Sequence, residues 1–533
     1  MLTVKNWLSV RLPGIVLAVI VLQPLMDVLS YFLGEWGSNT FSTLLRVAFM
    51  GLVALLGFLV TDKKKLYILF YGLAAAFWAA HVANCYRIGY QSVVQDSANF
   101  LRIVSFLVFL LSFLTFLRKG DGVVKSIYLG FGLNFGLFLL FTAAPWLTGH
   151  PIYTYDTLFV GVMGWFSIPN AQSTILVMAA PLALFWAYRT GKWPVFLLAS
   201  LLCFGLLFAT GTKLTFYSIF IIGGAYIFLF VLQLQKQSVK FALPLLLLLA
   251  AAFLFRHQSP MALREQMSAY SRGLYDQMVE ETLKSTGTDE EVIKTIQRGV
   301  NRKQTNERTL EEIHRGLISV YTSQDTYGEF LHDMNQRFGV YRVMDAYNYS
   351  ASSGILSDFR VMKSLFSRMV WEEKDLCTRF LGYEYNEVVV GDTIYDLEND
   401  FPAVYYFFGY TGFGLYLLVF AYIVVAVLRA YFLDVRACYG TLPARAGWGW
   451  ILRVLGALGQ GLRRFLTVEM GAVGMSFLLA VIAAQISGYV LRRPNVTIYF
   501  AISAACLLYL CTYKRGEGSQ EGKGLRSMPK NTQ

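Results

Sequence analysis

Twelve stretches of about 17 to 25 mostly apolar residues follow one another along this chain, and they restrict its fold more than any other feature. A helix rises 1.5 Å per residue and a bilayer core is about 30 Å thick, so each stretch is long enough to cross a membrane. They lie near 13–33, 41–61, 66–84, 99–118, 123–145, 171–189, 193–210, 214–233, 239–256, 401–430, 465–489 and 495–512. In hydrocarbon every backbone N–H and C=O needs a partner within the protein, which a helix supplies by itself. The expected fold class is therefore all-α: a polytopic integral membrane protein of about twelve transmembrane helices with a large, mainly helical external loop domain. Composition agrees, with 56% hydrophobic and only 15% charged residues against about a quarter charged in ordinary globular domains. The basic start "MLTVKNWLSVRLPG" leads into a stretch that holds Gln23, Pro24 and Asp27 and has no small-residue cleavage pattern, so it reads as a first span rather than a removed signal peptide.

Charge sets the expected orientation, because short cytoplasmic loops collect Lys and Arg. "TDKKKL", "RKGDGVVK", "YRTGKW", "QLQKQSVK", the Arg-rich stretch 429–464 and the tail "YKRGEGSQEGKG" all fall on one side of a twelve-span count. That side is expected to be the cytoplasm, with both termini in it. The other side receives one long polar segment, Arg256 to Asp400, with 24 acidic and 17 basic residues, while the rest of the chain carries net +19. The basic balance of the whole, +12, is thus a topology signal, and no basic face interleaved with aromatics suggests nucleic acid. The expected division is an N-terminal membrane domain (1–256), an external loop domain (257–400), a C-terminal membrane domain (401–512) and a cytoplasmic tail (513–533) expected to be disordered.

Six cysteines and five histidines are scattered, with neither Cys-x-x-Cys nor His-x-x-x-His spacing, which argues against zinc sites and disulfide frameworks. No metal and no cofactor is expected. From Met261 to Arg315 the polar segment places Leu263, Met267, Tyr270, Leu274 and Met278 at helical spacing, as amphipathic helices on or above a membrane do.

Its end poses a sharper question: in "LENDFPAVYYFFGYTGFGLYLLVF", residues 397 to 420, a carboxylate and an amide stand at the doorstep of a glycine-punctuated apolar helix. The order Glu398, Asn399, nine residues, Gly409 and Gly412 resembles the His-Asn…Gly-x-x-Gly signature of the O-antigen ligase and polymerase superfamily, with Glu398 where that family usually has histidine. "GWFSIPN", ending in Asn170, is similar to the family's G-x-F-x-x-P-N segment, and "FATGTKLTFYSIFI" to its L-T-G-S-R-G turn, with Lys213 in place of arginine. "SGILSDFRVMKSLF" resembles the G-R-x-x-x-W element through Arg360, and "FLGYEY" the L-x-G-x-G turn. The resemblance implies a bacterial cell-membrane glycosyltransferase of cell-surface polysaccharide biosynthesis. Such a protein takes glycans carried on undecaprenyl diphosphate at the external face and passes them to a glycan or lipid acceptor hydroxyl.

Chemistry for that transfer can be assigned residue by residue. Departure of a lipid diphosphate leaves charge on phosphate oxygens, and the first external connector, "GEWGSNT", offers only Glu35 and no paired acidic ligands for a metal. Fixed cations remain: Arg360 with its planar fork and Lys213 as a point charge, both expected to be catalytic. Glu398, an anion, suits the acceptor hydroxyl as general base or orienting acceptor, and the positive end of the following helix, entered through Asp400 and Pro402, would favour its charge. Asn170, Asn399, Arg46 and Arg102 are expected substrate contacts, and Gly409 and Gly412 a bare face for helix packing. Asp27 and Arg46 lie inside spans, where charges pair or line a polar cavity, so a structural ion pair stands beside the substrate role. A transporter or flippase would show internal repeats or matched broken helices, and none is evident. A non-catalytic scaffold stays open.

Overall fold

A computed structural model describes residues 2–37, 39–233, 236–300, 305–324, 327–391, 393–443 and 449–524. The chain runs through α1 (Leu2–Glu35), α2 (Asn39–Val60), α3 (Lys64–Ile88), α4 (Val93–Leu117), α5 (Asp121–Leu147), α6 (Pro169–Arg189), α7 (Trp193–Thr210), α8 (Lys213–Gln233) and α9 (Lys236–Leu254). The helices α10 (Pro260–Ser285), α11 (Glu290–Arg298), α12 (Glu307–Thr322), α13 (Gly328–Phe338), α14 (Val340–Ala346), α15 (Ser353–Leu356), α16 (Phe359–Glu372) and α17 (Leu376–Leu381) follow. After them come a two-stranded ribbon, β1 (Val389–Val390) and β2 (Thr393–Ile394), then α18 (Asp400–Thr441), α19 (Gly449–Phe465), α20 (Val468–Ile486) and α21 (Pro494–Gly524). Among the described residues eleven helices are long and apolar enough to cross a membrane, and the stretch expected at 239–256 holds the shorter apolar helix Lys240–Leu254. The protein is an all-α polytopic membrane protein. α18 and α21 run past the expected span ends at 430 and 512, and residues 525–533 of the tail lie outside the described residues.

Two compact units make up the fold: residues 1–74, 100–262 and 414–533 form the first, and residues 75–99 and 263–413 the second. In the first, α6 packs against α5, α7, α8, α20 and α21 and is buried over most of its length. Its small residues, Ala171, Ser173, Ala179, Ala180, Ala183 and Ala187, let neighbouring backbones come close, which in a membrane replaces the missing hydrophobic drive between helices. Side-chain hydroxyls and amides add directed bonds: Ser476 Oγ donates to Met178 O at 2.7 Å, Tyr226 Oη to Pro181 O at 2.6 Å, and Asn134 Nδ2 to Ile20 O at 2.9 Å.

The second unit has a core of its own, built by the inward faces of α11 to α14 and α16 with Ile293, Ile313, Leu317, Leu331, Met344 and Phe366. Polar side chains begin its helices, Asp289 accepting from Glu291 N, Asn306 from Thr309 N and Asp375 from Thr378 N. α10 is helical over the stretch where amphipathic spacing was expected, but Leu263, Met267, Tyr270, Leu274 and Met278 are exposed while Val279 and Leu283 are buried.

α18 breaks its own helix at Gly409, which takes φ 61° and ψ −170°. A Cβ there would come within 2.5 Å of Gly382 N and 2.6 Å of Arg379 O, and one on Gly382, itself at φ 88°, would run into Phe407 O. Tyr383 N donates to Tyr406 O at 3.2 Å across the same joint. The bare helical face expected of Gly409 and Gly412 is therefore corrected. Gly409 has left the helix so that the "FLGYEY" turn can press backbone against backbone, and only Gly412 serves side-chain packing, against Phe77 and Phe408. At the entry to α18 the helix starts at Asp400, Ala403 N donates to Asn399 O, and Asn399 holds the capping position.

Candidate functional site

In the second unit the chain brings Arg360 and Glu398 together. Asp358 caps α16 by accepting from Arg360 N at 2.8 Å, which fixes Arg360 in the first turn, and Lys363 follows three residues on, on the same helix face. Arg360 Nε donates to Glu398 Oε2 at 2.8 Å and Lys363 Nζ to Glu398 Oε1 at 3.4 Å, so one carboxylate is held by two cations. The side chains keep 41%, 18% and 17% exposure for Arg360, Lys363 and Glu398, enough for a ligand to reach them. Glu398 and Asn399 stand immediately before the N-terminus of α18, the end of a helix that carries partial positive charge. Sequence reasoning had not singled out Lys363; its signal was the three-residue spacing from Arg360.

A second convergence lies in the first unit. α6 starts at Pro169, a first-turn proline, followed by Asn170, and α8 starts at Lys213 after the Gly211 turn, φ 75°. Thr212 Oγ1 donates to Ser173 Oγ at 3.0 Å and accepts from Thr215 N at 3.3 Å, capping α8 and tying the two helix N-termini together. Asn170 and Lys213 thus mark neighbouring positive helix ends, where anions are favoured. Lys213 is exposed and Asn170 half-buried. Arg46 lies elsewhere in the unit, with Nη2 donating to Asp27 Oδ1 at 2.7 Å and to Ser30 Oγ at 2.9 Å, while Asn495 Nδ2 donates to the same carboxylate oxygen at 3.0 Å. That geometry is the structural ion pair. Arg102 is half-buried on α4, its carbonyl accepting from Ser105 Oγ at 2.6 Å.

The "FLGYEY" turn is pinned by groups that spacing alone did not reveal. Gln91 N and Ser92 N donate to Glu384 at 2.8 and 3.1 Å, and Tyr385 N to Asp96 Oδ1 at 3.0 Å. Tyr90 Oη donates to Asp96 Oδ2 at 2.7 Å, His81 Nε2 lies 2.9 Å from the same oxygen, and His81 Nδ1 donates to Leu381 O at 2.8 Å. Burial pushes the Glu384 carboxyl above its usual range, against the two backbone N–H bonds that pull it down. Among the described residues His81, Cys85 and Asp96 form one buried group with the composition of metal ligands, donor atoms within 4.8 Å of one another.

The fold and these convergences define a class: a multi-pass, all-helical membrane protein that gathers cations and a carboxylate at helix N-termini. A family described as O-antigen ligase like membrane protein matches residues 11–438 of the 533, and the chain belongs to that family. Membership gives it a membrane ligase- or polymerase-type function acting on lipid-linked glycans. Comparisons with curated proteins and with solved structures returned no match.

Proposed function

We propose that this protein is a glycosyltransferase of the bacterial cell membrane that transfers or polymerises undecaprenyl diphosphate-linked glycans at the external face. In this reading residues 1–256 and 401–512 are the membrane body and 257–400 the external domain. The observation that carries it is Glu398 held between Arg360 and Lys363 at the entry of α18, reachable by a ligand. An arriving diphosphate competes for Arg360, whose fork matches two phosphate oxygens, and the carboxylate is then released toward the acceptor. The acceptor hydroxyl oxygen attacks the anomeric carbon and its proton passes to Glu398. The glycosyl–oxygen bond breaks, and the lipid diphosphate leaves with the electron pair, its charge met by Arg360. Fixed cations at this step take the place that a divalent metal holds in other phosphate chemistry.

Glu398→Gln keeps size and hydrogen bonding but removes proton acceptance, so transfer per folded molecule should fall by about 10²- to 10⁴-fold while binding of a labelled donor stays nearly intact. Glu398→His should retain activity and move the acidic limb of the pH profile upward, toward the histidine range. A fully active Gln variant ends the general-base role. Sidedness is tested by membrane-impermeant labelling of single cysteines on intact cells, which should reach 257–400 and spare 429–464; the opposite pattern overturns the topology.

A further inference from the structure

An imidazole, a thiol and a carboxylate converge in the second unit: Asp96 Oδ2 lies 2.9 Å and Cys85 Sγ 3.5 Å from the same nitrogen, His81 Nε2. The three residues are buried, with 2%, 0% and 3% of His81, Cys85 and Asp96 exposed. His81 and Cys85 stand four apart on α3 and so share a helix face, while Asp96 comes from the first turn of α4. Pairs of like ligands, Cys-x-x-Cys or His-x-x-x-His, do not reveal this mixed His-x-x-x-Cys spacing.

The geometry separates a metal site from a nucleophile. In a Cys-His-Asp relay the thiol and the carboxylate use opposite ring nitrogens. Here both face Nε2, while Nδ1 donates to Leu381 O at 2.8 Å. With the proton on Nδ1, Nε2 of the neutral ring offers its lone pair to the cluster, as metal-bound histidines do. Asp96 is oriented from outside as well: Oδ1 accepts from Tyr385 N at 3.0 Å and Oδ2 from Tyr90 Oη at 2.7 Å. Outer partners of this kind hold the ligands of bound metals in place.

Nitrogen, sulfur and carboxylate oxygen together suit zinc, whose tetrahedral bonds put a nitrogen and a sulfur ligand about 3.6 Å apart and a nitrogen and an oxygen about 3.3 Å apart. The spacings of 3.5 and 2.9 Å meet this once His81 and Asp96 part by roughly 0.4 Å. We propose that His81, Cys85 and Asp96 bind a zinc ion, with Tyr90 Oη beside its fourth position. Binding displaces the Cys85 thiol proton to solvent, and the two positive charges balance the thiolate and the carboxylate that burial otherwise penalises. Through Leu381 O and Tyr385 N the ion ties the facing ends of α3 and α4 to the "FLGYEY" turn. The expectation of no metal is replaced at this one place. The ion takes no part in the transfer step, so the two readings stand or fall separately.

The test uses the full-length protein in detergent, purified through an affinity tag without histidine, and measures metal by mass spectrometry. It should carry one zinc per chain after dialysis against EDTA, and protein produced with cobalt in place of zinc should show a thiolate-to-cobalt charge-transfer band. Tyr90→Phe, at a half-buried position, removes only an outer partner and should weaken zinc affinity by about 10- to 100-fold. Cys85→Ser should abolish the cobalt band and cut zinc content at least tenfold. A wild-type protein that holds no zinc as purified and takes up none from added zinc overturns the proposal and leaves a His81–Asp96 ion pair. Cobalt bound without the thiolate band, or zinc content unchanged in a folded Cys85→Ser protein, places the metal elsewhere and overturns it too. Because content and band are read on the unaltered chain, a poorly folding variant does not decide the outcome.

Discussion

Two sets of paired charges sit in this protein under opposite conditions. Asp27 and Arg46 meet between α1 and α2 with 7% and 14% of their side chains exposed, whereas Arg360, Glu398 and Lys363 keep 41%, 17% and 18%. In hydrocarbon a charge deprived of its partner has no water to turn to, so the first pair holds two spans together and has little freedom to do anything else. At the second, water and ligand oxygens are available, and a cation can exchange a carboxylate for a phosphate at modest cost. Pairing of the same chemical groups is a constraint in one place and a resting state in the other.

The largest effect that would break this contrast is at the first pair. Arg46→Ala leaves the Asp27 carboxylate buried without its cation and should lower stability by about 3–5 kcal/mol, read as lost folded yield and an earlier thermal transition in detergent. Asp27→Asn combined with Arg46→Met should recover most of it, because no net charge remains in the span. An Arg46→Ala protein as stable as wild type, or one stably folded but unable to bind donor, would move Arg46 from architecture to the site.

At the second pair the expected damage is to turnover instead. Arg360→Ala should reduce transfer by about 10²- to 10³-fold, as loss of one charge-stabilising donor does elsewhere. Arg360→Lys should fall between the two, since a point charge remains where the fork is lost. The thermal transition should move little, because Arg360 itself is exposed and Lys363 still pairs with Glu398. Transfer should also persist in chelator, and full loss there with recovery in magnesium would replace the fixed-cation reading by a metal. A smaller effect belongs to the joint that supports Glu398: Gly409→Ala forces a side chain into a glycine-only conformation against the backbone of Gly382 and Arg379, at about 1–3 kcal/mol. Its turnover should drop with stability, and a Gly409→Ala protein of normal stability and activity would show the kink to be dispensable.

Helices and spans were legible in the sequence because each is a local sum. About twenty residues either favour hydrocarbon or do not, and the decision needs no distant partner. Arg360 and Glu398 were legible as types at recognisable positions, "SDFR" and "LENDF", though nothing in their spacing of 38 residues says that they touch. Lys363 joins them only because α16 presents its first turn to the start of α18. Gly409 read as a helical glycine, since an apolar run of that length sums to a helix; the kink appears only where Gly382, 27 residues earlier in sequence, demands the room. Residues 75–99 read as the end of one span, the connector after it and the start of the next, yet they pack with 263–413 through Asp96 and Glu384, across separations of nearly 300 residues. Hydropathy and helix-forming pattern by themselves determined where this chain can cross a membrane. Tertiary structure alone decided which charges meet and where the backbone bends, because those depend on contacts between distant segments whose energies no local sum contains.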